Sequence, residues 1–287
     1  MRAIDTRITM QTIVSSRRQA ASHGDRKAHR VLRLPPCLLV LLLAGCSWFR
    51  GAAIPIWHDN YSASAEPAKG LVVLLPGIGD SPNDFVRHGF VELIKSANPS
   101  LDVVAVDAPL SYYVRGLLSE RVHHDIVKPR LERYQHIWLV GISLGGLGAM
   151  SYAADYPQAV DGVVLLAPFL GTDEVVEEVR AAGGVRSWTA PVLDRFDDPM
   201  RRLAHRAWSW ARTVAESAGQ SPAVYLGYGD ADCFVEAHAM LADAIPANRI
   251  RTCKGEHDWV AWTSLFEELA PTVLRDVGVV RRSPIAN

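Results

Sequence analysis

Short apolar runs recur along the middle of this chain, with amphipathic stretches between them: Leu71–Leu75, Leu101–Val106, His136–Val140, Val163–Ala167 and Ala223–Leu226. Each is the length of a strand and apolar on both faces. Such runs bury both sides and must be covered by helices, which is the pattern of a parallel sheet with crossover connections. Helices are expected near 144–154, 234–244 and 259–275, with a longer one inside 114–133. Ser81-Pro82-Asn83-Asp84 reads as a helix start, with Ser81 as the cap and Pro82 at the first position. A short strand over Arg249–Cys253 precedes the last helix. The interval 169–221 breaks the rhythm. It holds Trp188, Trp208, Trp210 and two helical stretches near 173–182 and 198–217, and so large an insertion reads as a helical cap.

The charge is uneven. The chain of 287 residues has a formal net charge of −1. Residues 1–45 carry eight Lys and Arg against two acids, which leaves the remainder with 22 basic and 29 acidic residues, a net of −7. A body of that sign repels phosphate backbones, so nucleic acid is not an expected partner. The basic stretch ends at Arg33 and is followed by Cys37-Leu38-Leu39-Val40-Leu41-Leu42-Leu43-Ala44-Gly45-Cys46. A positive region, an apolar run too short to span a bilayer and small residues together read as a secretory signal. Leu43-Ala44-Gly45-Cys46 resembles the lipobox of bacterial lipoproteins. That resemblance implies cleavage before Cys46, acylation of its thiol and attachment to the envelope, with Ser47 favouring the outer membrane. The basic region is long for a signal, which suggests a translation start near Val31. The expected layout is a signal peptide over 1–45, a tether over 46–68, a core over 69–168 and 222–278, the cap over 169–221 and a tail over 279–287.

Gly141-Ile142-Ser143-Leu144-Gly145 fits G-x-S-x-G, between the strand ending at Val140 and the small-residue helix start Gly145-Gly146-Leu147-Gly148. Strand, tight turn and helix are the setting of a nucleophile elbow, where glycines two positions either side of the Ser relieve a collision. On this motif the sequence resembles the α/β-hydrolase superfamily over most of residues 68–277. The resemblance implies a mostly parallel central sheet flanked by helices, and a nucleophile, acid and histidine in that chain order. Ser143 is then the nucleophile and His257, in Gly255-Glu256-His257-Asp258-Trp259, the base. His88 is a weaker choice. Gly229-Asp230-Ala231-Asp232-Cys233-Phe234-Val235 offers two acids: Asp232 fits the family register, and Asp230 fits one shifted by two. For the oxyanion hole the resemblance implies the amide of Leu144 and one from the loop Pro76-Gly77-Ile78-Gly79-Asp80, that of Ile78 by register, with Gly77 or Gly79 as alternatives.

These types suit acyl transfer. A serine hydroxyl becomes a competent nucleophile when an imidazole takes its proton, and a carboxylate orients that imidazole. The expected function is that of a lipid-anchored serine hydrolase cleaving a carboxylic ester or related acyl bond of a small molecule or lipid, under a cap whose Trp residues either line an apolar pocket or form the cap's own core. An acyltransferase using the same Ser, or a non-catalytic envelope protein on the same fold, are the alternatives. No cofactor is expected. No metal cluster is visible in the sequence, since His123-His124-Asp125 are neighbours that do not share a helix face. In an oxidising compartment Cys233 and Cys253 either form a disulfide tying the acid loop to the histidine loop or remain two buried free thiols that pack as small hydrophobes.

Overall fold

A computed structural model describes residues 50–192, 197–217, 222–275 and 277. The expected signal peptide, Cys46 and the tail 279–287 lie outside the described residues. Seven strands form one sheet in the order β1-β3-β2-β4-β5-β6-β7. They are β1 (His58–Tyr61), β2 (Gly70–Leu75), β3 (Leu101–Val106), β4 (His136–Ile142), β5 (Gly162–Leu166), β6 (Ala223–Gly229) and β7 (Ile250–Cys253). β1 runs antiparallel to β3, and every other pair is parallel. Every residue of β2, β3, β4 and β5 is buried, as strands covered on both faces require.

Two helical layers provide the cover. One comprises α1 (Pro82–Arg87), α2 (Phe90–Ala97) and the last helix α9 (Trp259–Leu274), whose Phe85, Phe90, Ile94, Phe266 and Leu269 pack on one face of the sheet. The other comprises α3 (Leu110–Val114), α4 (Leu118–Arg121), α5 (Leu144–Asp155), α6 (Asp173–Ala181), α7 (Pro199–Glu216) and α8 (Val235–Ala242), around Tyr113, Leu147, Tyr152, Val179 and Trp208. α1 begins as expected: the Ser81 amide and hydroxyl both donate to the Asp84 carboxylate, at 2.8 and 2.7 Å.

The chain departs from the sequence reading at three places. The expected helix within 114–133 is broken: α4 passes into a π-helical turn, Val122–Val127, and a 3-10 turn, Lys128–Arg130. Pro129 has no N–H to extend an α-helical ladder, and Arg130 Nη1 donates instead to the carbonyl of Ile126 at 2.9 Å. The expected tether is docked from residue 50 onward. Its residues 58–61 form edge strand β1, Ile56 is buried, its amide donates to Asp125 at 2.9 Å, and Tyr112 Oη donates to Ala53 O at 2.7 Å.

The expected cap is the third. α7 lies along α5 in the helical layer and connects parallel strands β5 and β6, as a crossover helix does. Trp208 is fully buried, its Nε1 donating to Leu170 O at 2.9 Å, and Trp188 stacks on His205 with ring centroids 5.8 Å apart. The three Trp of this interval are core to that layer rather than the lining of a pocket. What interrupts the βα rhythm is α6 and the turns after it, joined to α7 by Arg201 and His205 on Glu178.

Candidate active site

The strand order reverses next to β2: the chain moves outward to β3, then crosses back to β4 on the other side. In a parallel sheet such a reversal opens a crevice at the carboxyl ends of the strands, where loops diverge. The loop after β2 and the turn after β4 meet there. Ser143 occupies the turn with φ 50° and ψ −115°. A left-handed φ in a residue other than glycine is strained, and surrounding packing has to enforce it. The flanking glycines show how tight that packing is. A Cβ on Gly145 would lie 2.1 Å from Leu75 O, and one on Gly141 would lie 2.3 Å from Gly145 O. Hydrogen bonds complete the clamp: Ser143 N–H donates to Leu166 O at 3.0 Å, and Ser143 O accepts from Phe169 N at 2.8 Å and Gly146 N at 2.9 Å.

His257 arrives from the loop after β7. Its Nε2 lies 2.8 Å from Ser143 Oγ, and its Nδ1 lies 2.8 Å from Asp232 Oδ2. Side chains 114 and 25 residues apart in the chain thus form one hydrogen-bonded row. The imidazole stands between Phe234 and Trp262, each meeting it edge to face with centroids 5.1 Å away. That packing fixes the plane of the ring, so both nitrogens keep their partners. Asp232 is buried, and its Oδ1 accepts from Phe234 N at 2.8 Å. Burial alone would raise its carboxyl. The hydrogen bond and charge of His257, with smaller help from His238 and the Phe234 amide, outweigh this and hold it below the usual carboxylate range.

The two acids have separate partners. Asp230 Oδ1 accepts from Gly255 N at 3.2 Å, while the Asp230 and Ala231 amides donate to Cys253 O and Gly255 O at 2.9 and 3.0 Å. Asp230 therefore ties the backbone of the histidine loop to the acid loop, while Asp232 reaches the imidazole. His88 is far from this row in role: it stacks on Trp259 with ring centroids 4.3 Å apart. The disulfide is corrected. Cys233 and Cys253 are not bonded to each other. Cys233 is exposed, whereas Cys253 Sγ turns against α9, 4.0 Å from Ala261 O. The two loops are neighbours, but their thiols face different surroundings.

Leu144 opens α5, so its N–H has no carbonyl one turn earlier in the helix to accept it. Ile78 is the second residue of the turn closed by Asp80 N on Gly77 O at 3.2 Å, which leaves the Ile78 amide outside that turn's hydrogen bond. A Cβ on Gly77 would stand 3.6 Å from Ser143 Cβ, so this loop does run beside the serine.

Two residues near the site escaped the sequence reading. His238, on α8, is buried, with Nε2 3.0 Å from Pro168 O and Nδ1 4.0 Å from Asp232 Oδ1. Burial pushes it down to about 4 despite the opposing Asp232 charge and Pro168 carbonyl, so it backs the acid as a neutral ring at neutral pH. Asp80, in the Gly77 loop, accepts from Trp259 Nε1 at 3.2 Å, and burial raises it to about 6. The spacing of His238 from Asp232, six residues on and one helical turn into α8, was the one available signal.

Comparison with known proteins agrees with the fold. A family model described as serine aminopeptidase, S33, matches residues 118–269, more than half of the chain. No curated protein matches it. Among solved structures, a ferulic acid esterase is 18% identical with a TM-score of 0.54, covering 76% of this chain and 98% of its own. FphF, a fluorophosphonate-binding serine hydrolase of Staphylococcus aureus, is 12% identical with a TM-score of 0.52, covering 77% and 99%. Est1E from Butyrivibrio proteoclasticus is 15% identical with a TM-score of 0.51, covering 78% and 96%. At these identities the solved structures speak to the fold alone. The family match spans β4, the elbow, β6, β7 and most of α9, and on it the chain belongs to the serine aminopeptidase S33 family of serine hydrolases, built on the α/β-hydrolase fold.

Proposed function

We propose that this chain is an esterase in which Ser143 attacks the carbonyl of a carboxylic ester. His257 Nε2 takes the hydroxyl proton as the Oγ–C bond forms, then returns it to the leaving alkoxide. Asp232 holds the proton on Nδ1, which keeps Nε2 as the acceptor, and stabilises the imidazolium. The Leu144 and Ile78 amides receive the charge that develops on the carbonyl oxygen. Water, deprotonated by the same imidazole, then releases the acyl group from Ser143. The observation that carries this reading is the row of two 2.8 Å contacts ending on a serine in a strained turn.

A fluorophosphonate probe tests it. The folded chain should label at one site, and Ser143→Ala should abolish both labelling and ester hydrolysis. Unlabelled wild-type protein would overturn the proposal. Nitrophenyl esters of graded chain length, run beside aminoacyl arylamides, separate ester from amide preference, since the matching family model is described by a peptidase. The natural acyl group and acceptor would follow from product analysis with and without added alcohol.

We also propose that the protein is a lipoprotein of the bacterial envelope, anchored through Cys46. The support is the sequence Leu43-Ala44-Gly45-Cys46 behind a basic stretch. Among the described residues no helix is long and apolar enough to cross a membrane. Intact mass of the membrane-extracted protein should show a chain starting at Cys46 and carrying acyl groups. An unmodified chain that retains residues 1–45 would sink the anchor.

A further inference from the structure

Beside the buried acid and the imidazole stands a third donor that the proposed mechanism does not use. Cys233 follows Asp232 directly, and one donor atom from each of Asp232, Cys233 and His257 lies within 4.8 Å of the other two. A carboxylate oxygen, a thiolate sulfur and an imidazole nitrogen are all ligands of tetrahedral zinc, at about 2.0–2.2, 2.3 and 2.0–2.1 Å. On a tetrahedron of those bond lengths neighbouring donors stand roughly 3.2–3.8 Å apart. Asp232 Oδ2 and His257 Nδ1, hydrogen-bonded at 2.8 Å, would have to open by about half an ångström to hold an ion while the Cys233 sulfur closes on them, and the exposure of Cys233 gives an ion a path to the buried Asp232. Cys253 has no part in this, since its sulfur faces Ala261.

We propose that Asp232, Cys233 and His257 form an inhibitory Zn²⁺ site, with water in the fourth position. The loss of activity rests on the esterase reading; the binding does not. Inhibition follows from the imidazole's two nitrogens. Zinc on Nδ1 displaces the hydrogen bond to Asp232 and leaves the ring's proton on Nε2, which can then no longer accept from Ser143. Zinc on Nε2 occupies the acceptor itself. Either way the serine loses its base while the fold is untouched. Thiolate ligation selects zinc over magnesium or calcium, which prefer oxygen-only sites. Binding expels the thiol proton to solvent, so affinity rises with pH.

The test uses chelator-stripped, reduced protein and zinc chloride. Calorimetry should show one zinc per chain, and ester hydrolysis should fall over the same concentration range and return with a chelator; magnesium chloride should do neither. Cys233→Ser should keep its zinc-free ester hydrolysis but bind zinc, and be inhibited by it, at least about 10-fold more weakly, since even groups behind the ligands shift affinity by that much. Cobalt chloride should give a thiolate charge-transfer band with wild type and none with Cys233→Ser. Ser143→Ala, catalytically dead, should bind zinc as wild type does. Equal zinc affinity in wild type and Cys233→Ser, or no thiolate band in wild type, overturns the site. If wild type hydrolyses no ester, the esterase reading falls alone, and calorimetry and the cobalt spectrum still decide the metal site.

Discussion

The elbow at Gly141–Gly145 and the loop at Lys254–Asp258 bring Ser143 and His257 together by opposite means. Every residue of the elbow is buried, and its shape is set by backbone in contact with backbone. The histidine loop is largely exposed, and backbone hydrogen bonds to Asp230 and Ala231 hold it beside the acid loop. The one region stores strain and tolerates no added atom. The other depends on polar partners and answers to what binds or titrates nearby. A nucleophile has to stay in one place, while a base has to exchange protons with solvent and substrate; the two constructions match those demands.

Substituting one glycine in each region would break the comparison most sharply. Gly145→Ala puts a methyl group against the Leu75 carbonyl, which β2 cannot move. Gly255→Ala meets the Ala261 Cβ at 2.8 Å, with the Ala261 Cα and Cys253 Sγ at ordinary contact distances of 3.5 and 3.7 Å and no carbonyl in the way. The elbow variant should lose about 3 kcal/mol or more of stability together with nearly all activity, the loop variant about 1 kcal/mol with most activity kept. Thermal unfolding and ester hydrolysis measured side by side check this, and equal losses would contradict it.

Exchanging the two acids for their amides comes next. Asp232→Asn should lower kcat by about 10³–10⁴, because the amide favours the wrong imidazole tautomer. Asp230→Asn keeps an acceptor for the Gly255 amide, so its loss should be only a few-fold; Asp230→Ala removes the acceptor and should cost about 1 kcal/mol of stability. Comparable rate losses in Asp230→Asn and Asp232→Asn would mean that the acids share the work.

The titration of His238 should leave activity at neutral pH alone and show itself only in stability at acid pH. Its folded state resists protonation down to about 4, against an ordinary 6.5. Well above 6.5 the ring is neutral whether folded or not, and at 6.5 the unfolded chain is already half protonated. As pH falls toward 4 the unfolded chain takes the proton first, so stability declines, by an amount on the order of 2 kcal/mol. His238→Gln should remove that part of the decline. Urea titrations at pH 7 and pH 4.5 measure it, and parallel losses in variant and wild type would assign the acid sensitivity to other groups.

Much of this was legible in the sequence. Four of the strands are apolar on both faces, and a run such as Val72-Val73-Leu74 has no other stable use in a chain of this polarity. The elbow was legible because its glycines are a steric necessity. β1 was not: His58-Asp59-Asn60-Tyr61 has no apolar pattern, since an edge strand pairs on one side only. The interval 169–221 misled because length alone does not tell a lid from a crossover helix; the apolar stripe of α7 could face a substrate or α5. The disulfide failed for a related reason. Loops that pass close to each other say nothing about where their side chains turn.

What the chain order determined unaided was the class of fold and the kinds of residue gathered at the carboxyl ends of its strands, because periodicity and glycine placement are local properties written residue by residue. What only the folded chain decided was the pairing of atoms: which aspartate meets the imidazole, which thiol stands beside it, and which helix covers the sheet. Those depend on direction, and a side chain's direction is fixed by packing against residues a hundred positions away.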